Sequence, residues 1–330
     1  MPPGSKRILK KMISHIGVVF FAVAAWMIYV QLHKHPIARV LDSIVQIPSA
    51  NVAWAAAACV LGYLVLSCYD FLALRYIGKK LRWWKWMLAG LLGFAVSNNA
   101  GNAAISGGAI RYRLYTRWRI RAPEIVQMLT FSGVTYYLGA SAVIVAGGLL
   151  IPQSAFSEIG MIRMLFGLCS AFLGAYFAAC LFFNGKGFKI GSAVFSIPSP
   201  RTALIQAAVG MTDSILAGLV LYFLSMHFAG ISAVRFVSVF VIAQSAGIFS
   251  QVPGGIGVFE SVVLVAMPPE VDRAALFASL LAFRVIYFLI PLFGIGTTFF
   301  VYEHYLRKKM KKWRMFSIHL LPRMKKEHKG

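Results

Sequence analysis

Six uninterrupted apolar stretches, at 16–32, 52–74, 125–150, 162–183, 203–226 and 274–302, constrain this chain more than any other feature. As helices, each is long enough to cross a hydrocarbon core about 30 Å thick. A soluble domain has nowhere to bury six of them. In lipid, every backbone N–H and C=O must be satisfied internally, which leaves helices as the spanning element for runs of this length. The sequence therefore predicts an all-α polytopic membrane protein. An apolar content of 59% and a mean hydropathy of +0.73 agree with it.

A formal charge of +23 over 330 residues would suit a nucleic-acid binder if the chain were soluble. In a membrane protein, the Lys and Arg are better read by position, since basic residues collect in the loops of one face. Trp83, Trp84 and Trp86 among Lys79, Lys80, Arg82 and Lys85 then read as an interfacial belt rather than a base-stacking platform. The tail, 306–330, is basic with scattered apolar residues and is expected to lie on anionic lipid at the cytoplasmic face. Lys6 to Lys11 before an apolar stretch imitates a secretory signal, but no small-residue cleavage site closes it, so a retained first span is expected. Cys59, Cys68, Cys169 and Cys180 all fall inside apolar stretches and read as packing residues, with no metal-type pairing.

Two segments differ from the six. One runs from Trp86 to about Leu114 through SNNAGNAAISGG, and the other from about Val237 to Met267 through QVPGGIG. Each is a pair of short apolar stretches broken by small, polar or helix-breaking residues. Charge counting decides between broken spans and re-entrant hairpins. With the amino terminus inside and both segments crossing, the loops carry 21 basic residues inside and 11 outside; with both re-entrant, the figures become 27 and 5, leaving out Arg284 within the last span. The re-entrant topology, with both termini cytoplasmic, is the expectation.

An internal repeat points the same way. Asp70 stands 37 residues before Gly107 and Asp213 stands 41 before Gly254, each glycine opening a Gly-Gly pair. Six residues past each comes a charge, Arg113 or Glu260, and beyond it a carboxylate following a proline, Glu124 or Glu270, opens the next span. The two copies, about 52–150 and 203–302, would be inverted within a single transmembrane domain, 1–305. In such proteins paired broken helices meet near the midplane, where irregular backbone lines a cavity.

An ionisable group at that depth costs about 2.5 to 3.5 kcal/mol on insertion scales, so it needs a partner, a cavity or a task. Asp70, Asp213, Glu260 and Arg284 qualify, and Arg111 and Arg113 end the first hairpin facing either the cavity or the cytoplasm. Glu260 and Arg284 either neutralise one another or serve a substrate, and an ion pair that substrate replaces would do both. Arginine offers a forked donor that suits a lipid phosphate. Asp70 and Asp213 read equally as proton-coupling sites and as caps on the broken helices. Gln251 and Tyr287 complete the expected lipid-binding set. Asn98, Asn99, Asn102, Ser106 and Gln244 would satisfy freed backbone groups or line a polar path. Gly107, Gly108, Pro253, Gly254, Gly255 and Gly257 are the expected hinges and turns.

CYD at 68–70, GGAIRYRLYTR at 107–117, PGGIGVFE at 253–260 and FRVIYFLIP at 283–291 resemble the transmembrane domain of the lysylphosphatidylglycerol synthase family, which includes the flippase half of the multiple peptide resistance factor. The likeness covers roughly residues 10–305. It implies movement of a phospholipid, such as aminoacylated phosphatidylglycerol, between leaflets of a bacterial inner membrane. Long members carry a soluble aminoacyl-transferase domain after the membrane part; this chain ends at Gly330, so synthase activity, a cofactor and a metal are not expected. The expected partners are anionic or aminoacylated lipids and a separate synthase or other membrane protein, with no nucleic acid. Two competing readings are a membrane subunit of a lipid-modifying enzyme, for which no nucleophile–base pair or nucleotide loop is found, and an anchor that holds a partner on the basic face.

Overall fold

The computed structural model describes residues 37–100, 103–150 and 160–299, with 301 and 304. The stretch at 16–32 and the tail at 306–330 lie outside them. The described chain is helical apart from one short β-hairpin, and five of its helices are long and apolar enough to cross a membrane. A short helix α1 (Ile37–Val45) leads into α2 (Ser49–Tyr76). A helical pair follows, α3 (Trp83–Ala100) and α4 (Ala103–Arg117), and then α5 (Ala122–Leu150) and α6 (Gly160–Phe182). Strands β1 (Gly187–Ile190) and β2 (Ala193–Ser196) connect to α7 (Pro200–Ala229). A second pair, α8 (Ala233–Phe249) and α9 (Val258–Ala266), is joined by a 3₁₀ turn at Pro253–Gly255. The last helix, α10, begins at Arg273 and continues through a π-helical segment, Arg284–Leu289, to Phe299.

Helix ends fall where local chemistry places them. Pro200 enters α7 with its fixed φ while the Ser199 hydroxyl accepts from the Thr202 N–H, and Gly230 ends the helix in the left-handed conformation. Asp272 caps α10 by accepting from the Ala274 and Ala275 N–H groups. Arg273 donates to the Leu264 and Met267 carbonyls at the end of α9, covering acceptors that the helix leaves open. The β-hairpin, which the apolar pattern did not announce, is tied to α2 through the Tyr76 hydroxyl, bonded to both the Ser196 N–H and C=O.

α2 and α7 form the antiparallel centre. Trp54 meets Phe223, Gly62 faces Leu216 and the Tyr69 hydroxyl reaches Asp213, so contacts advance along one helix as they recede along the other. α5 runs parallel to α7, and there the backbones nearly touch: a Cβ on Gly139 would fall 1.9 Å from the Gly210 carbonyl carbon. Helices in lipid associate through such small-residue contacts because hydrocarbon provides no hydrophobic drive between them.

Both helical pairs fold back on themselves. In the first, Ser97 lies against Gly107 and Gly93 against Arg111. Its two open ends sit together, since Lys79 pairs with Glu124 at 3.5 Å and the Lys85 ammonium lies over the Trp118 ring. In the second, Gly247 packs on Gly255 and Phe259. The first hairpin follows the C-terminal end of α2 and the second follows the C-terminal end of α7. Because α2 and α7 are antiparallel, the hairpins enter from opposite ends of the molecule. Their tips meet between those ends: the 3₁₀ turn packs on α3, with the Asn98 carbonyl 3.5 Å from where a Gly254 Cβ would stand.

Gly139 and Gly133 separate close approach from helix propensity. Gly139→Ala is expected to lower the thermal midpoint of the detergent-solubilised protein, at an overpacking cost on the order of 1–3 kcal/mol or more. Gly133→Ala, with nothing within 4 Å of its Cβ, should hold or raise it. Equal midpoints would contradict the close α5–α7 contact.

Candidate functional site

The sequence carries acids and arginines along one dimension; folding sorts them into pairs. Asp70, on α2, receives the Arg111 fork of α4, with Nε at 3.0 Å from Oδ1 and Nη2 at 2.8 Å from Oδ2, and the Tyr115 hydroxyl donates to Oδ1 at 2.7 Å. The guanidinium lies over the Phe94 ring at 4.3 Å. Gly93 makes room for it, because a Cβ there would fall 2.6 Å from Arg111 Cζ. Tyr115 is one helical turn past Arg111, so RYRLY presents both donors on one face. The group sews the returning helix of the first hairpin to α2.

The second pair is built from the other hairpin. Left-handed backbone at Gln251, Gly254, Gly255 and Gly257 reverses the chain between α8 and α9, with φ between 58° and 84°. Glycine accepts this conformation without a Cβ clash. A Cβ on Gly255 would also crowd Gly247 Cα at 3.0 Å. Glu260, three residues into α9, accepts from the Gly257 N–H through Oε2 at 2.7 Å and holds Arg284 through Oε1, from Nε at 2.8 Å and Nη2 at 2.6 Å. The remaining Arg284 nitrogen, Nη1, donates to the Gly254 carbonyl. The Phe288 ring lies 4.8 Å from this guanidinium and Phe259 5.4 Å, repeating the aromatic support given to Arg111.

Arg284 opens a π-helical turn, which changes the carbonyls that find partners inside the helix. Three carbonyls of this turn also take side-chain donors from the neighbouring helices. Cys59 donates to the Ile286 carbonyl, Tyr63 to that of Tyr287, and the Asn99 amide to that of Phe288 at 3.2 Å. Asn99 belongs to the tip of the first hairpin and Arg284 is bound to the second, so α10 joins both tips.

The expected site residues thus take different places. Asp70 and Arg111, both expected in the lipid-binding set, pair with each other, and Arg111 has a side-chain exposure of 5%. The repeat matches Arg113 to Glu260; Arg111, two residues earlier, is the arginine that meets Asp70, and Arg113 is exposed. Gly107 and Gly108 are not a turn. They lie within α4, where Gly107 admits Ser97 and the Gly93 carbonyl of the facing helix. Pro253 and Gly254 do open the turn of the second hairpin. Gln251 is exposed and donates to the Ile248 carbonyl, which closes the end of α8. Tyr287 is buried, its ring stacked on Phe283 and tilted against Tyr63. Asn102 lies outside the described residues.

Sequence reasoning passed over the tyrosines. Tyr69, next to Asp70 in CYD, points to the other side of α2 and donates to Asp213 Oδ2 at 2.9 Å. The two adjacent residues therefore serve two carboxylates, a consequence of the roughly 100° step between neighbours on a helix. No group of three His, Cys, Asp or Glu suited to a metal ion occurs among the described residues.

Membrane-length helices around paired buried charges define a multi-pass membrane protein. The chain is 35% identical over 286 residues to the uncharacterized protein slr0712 of Synechocystis, spanning 84% of this chain and 87% of that one, and it belongs to the same family. It is also 28% identical to the inner membrane protein YbhN of Escherichia coli, over 71% of this chain and 74% of the relative. A likeness at 21% identity links 69% of the chain to 26% of the phosphatidylglycerol lysyltransferase of Staphylococcus aureus. No protein-family model matches the chain.

Breaking the Asp70–Arg111 pair from one side leaves a buried charge alone, which costs about 3–5 kcal/mol, whereas removing both charges costs much less. Asp70→Asn and Arg111→Gln are each expected to depress the thermal midpoint strongly, and the double variant to recover most of the loss. Additive losses would show that the two residues do not act as a pair.

Proposed function

We propose that the chain is a lipid translocase that passes the headgroup of a phospholipid, aminoacylated phosphatidylglycerol being the candidate, through the junction of the hairpin tips. In this reading both hairpins are re-entrant, the copies at about 52–150 and 203–302 are inverted repeats, and the basic end faces the cytoplasm of a bacterial inner membrane. The observation that carries it is the Arg284–Glu260 pair where the tips meet. Its arginine has a side-chain exposure of 15%, against 5% for Arg111, which makes it the more reachable of the two.

Nε and Nη2 of Arg284 both donate to the one oxygen Oε1 of Glu260, and a phosphate would offer the same two donors an oxygen each. On substitution Nε and Nη2 pass to the phosphate, while Nη1 stays on the Gly254 carbonyl and keeps the guanidinium in place. Glu260 remains attached to the Gly257 N–H through its other oxygen, and the released oxygen receives an ammonium such as that of an aminoacyl ester. A zwitterionic substrate exchanges one ion pair for two without leaving a charge bare in low dielectric. The lysyltransferase relative is named for chemistry on phosphatidylglycerol, which supports this class of lipid.

The test is leaflet exchange of labelled phosphatidylglycerol and of its lysyl ester in liposomes holding the purified protein. Wild type should accelerate exchange of one or both, and Arg284→Ala should slow it at least about tenfold while eluting as folded protein. The neutral pair Glu260→Gln with Arg284→Gln, built to preserve packing, should be equally slow. Exchange at the wild-type rate by either folded variant would sink the proposal; a variant pair that folds only when both charges are present would mark a purely structural bridge.

A further inference from the structure

Four carboxylates are buried among the described residues, and three of them hold an arginine: Asp70 with Arg111, Glu124 with Arg121, and Glu260 with Arg284. Asp213 is the fourth, 4% exposed, and no Lys, Arg or His pairs with it among the described residues. One oxygen, Oδ2, accepts from Tyr69; the other, Oδ1, is buried with no hydrogen-bond partner. It lies near the middle of α7, about 20 Å along the helix from its start at Pro200. The titratable groups facing it are Tyr69 and Tyr63 from α2, Tyr136 from α5 and Tyr287 from the π-helical turn, all neutral phenols. Ser214 Oγ beside Asp213 and Gln244 Oε1 on α8 are likewise buried without a partner, and the Tyr136 hydroxyl faces Ser245 of α8.

An ionised carboxylate with one hydrogen bond and no cation is unfavourable in a low-dielectric interior, and an oxygen without a donor deepens the cost. Both are relieved by a single ligand that adds positive charge and places hydrogen on Oδ1. A metal cation would need a cage of oxygens. Asp213 instead stands within the continuous helix α7, whose carbonyls are engaged in helix hydrogen bonds, and it offers one carboxylate among neutral side chains.

We propose that Asp213 is an internal proton-binding site, loaded and emptied as the protein works, so that lipid movement is coupled to a proton gradient. The coupling rests on the translocase reading; the proton site does not. Asp213 is positioned to communicate with both hairpins. Its partner Tyr69 adjoins Asp70, the anchor of the first hairpin, and Tyr287 lies one turn beyond Arg284, which holds the second. Loading the proton changes what the Tyr69 hydroxyl meets at Oδ2 and gives Oδ1 a donor's role toward the unpartnered oxygens around it.

The closing experiment has two readouts on wild type, Asp213→Asn and Asp213→Glu in lipid. Infrared difference spectra across a pH titration should contain a protonated-carboxyl C=O band that is absent in Asp213→Asn and shifted in Asp213→Glu. Its absence from wild type at every pH, or a dependence on sodium in its place, would overturn the proton site, whether or not any lipid moves. In proteoliposomes with an imposed gradient of one pH unit, one proton per lipid biases the leaflet distribution up to about tenfold, reversing with the gradient. In Asp213→Asn the exchange that remains should be indifferent to the gradient. A wild type that exchanges lipid indifferently while keeping the band would overturn the coupling and leave the site. Absence of all exchange with the band present would overturn the coupling together with the translocase reading.

Discussion

The bond between Arg284 and Glu260 is the contact on which the junction depends. A guanidinium in the middle of a membrane-length helix must be met by a counter-charge, and the one it meets lies in the first turn of α9, just past a run of left-handed glycines. The same guanidinium holds the Gly254 carbonyl at the tip of that turn. Irregular backbone at this depth is tolerable only where its polar groups find partners in protein. Arg284 therefore supplies a partner to the turn of the second hairpin, and the hairpin supplies the carboxylate that Arg284 meets, which ties the helix and the turn together.

The first hairpin uses the same chemistry with the charges exchanged. Its returning helix brings the arginine, and the neighbouring span brings the acid. In both places the guanidinium rests on a phenylalanine ring, which shields it from hydrocarbon and leaves its donors in the carboxylate plane. The difference lies in access. Arg111 is enclosed between α2 and α3, with Tyr115 filling a further site on Asp70, and so behaves as a latch. Arg284 stands where two tips and a widened helical turn converge, and it is the more exposed of the two. Asp213, on α7, meets tyrosines and no cation among the described residues.

Much of this was legible along the chain. Long apolar runs predict spans because hydrocarbon thickness sets a length, and five of the six fall on described helices close to the expected limits. The broken segments announced themselves through glycine, asparagine and proline, residues that disrupt a helix locally. The Gly254, Gly255 and Gly257 turn followed from the same local rule. The Gly107–Gly108 pair did not, because a glycine in a helix and a glycine in a turn look alike until the neighbouring backbone is known. The β-hairpin was missed because eight strand residues between two spans carry too little pattern to outweigh a loop.

By itself the sequence determined that the chain must live in a membrane, that it has two interrupted segments, and that a handful of acids and arginines lie deep enough to need a partner, a cavity or a task. Those conclusions rest on composition and local periodicity, which act over one helix at a time. Only the tertiary structure decided which acid meets which arginine, that Tyr69 and Asp70 face different partners, and that one buried carboxylate meets no cation among the described residues. Pairing is a property of the distance between helices far apart in the chain. A two-residue difference between Arg111 and Arg113 turns a side chain by more than half the helix circumference, so the choice is fixed by packing and not by order.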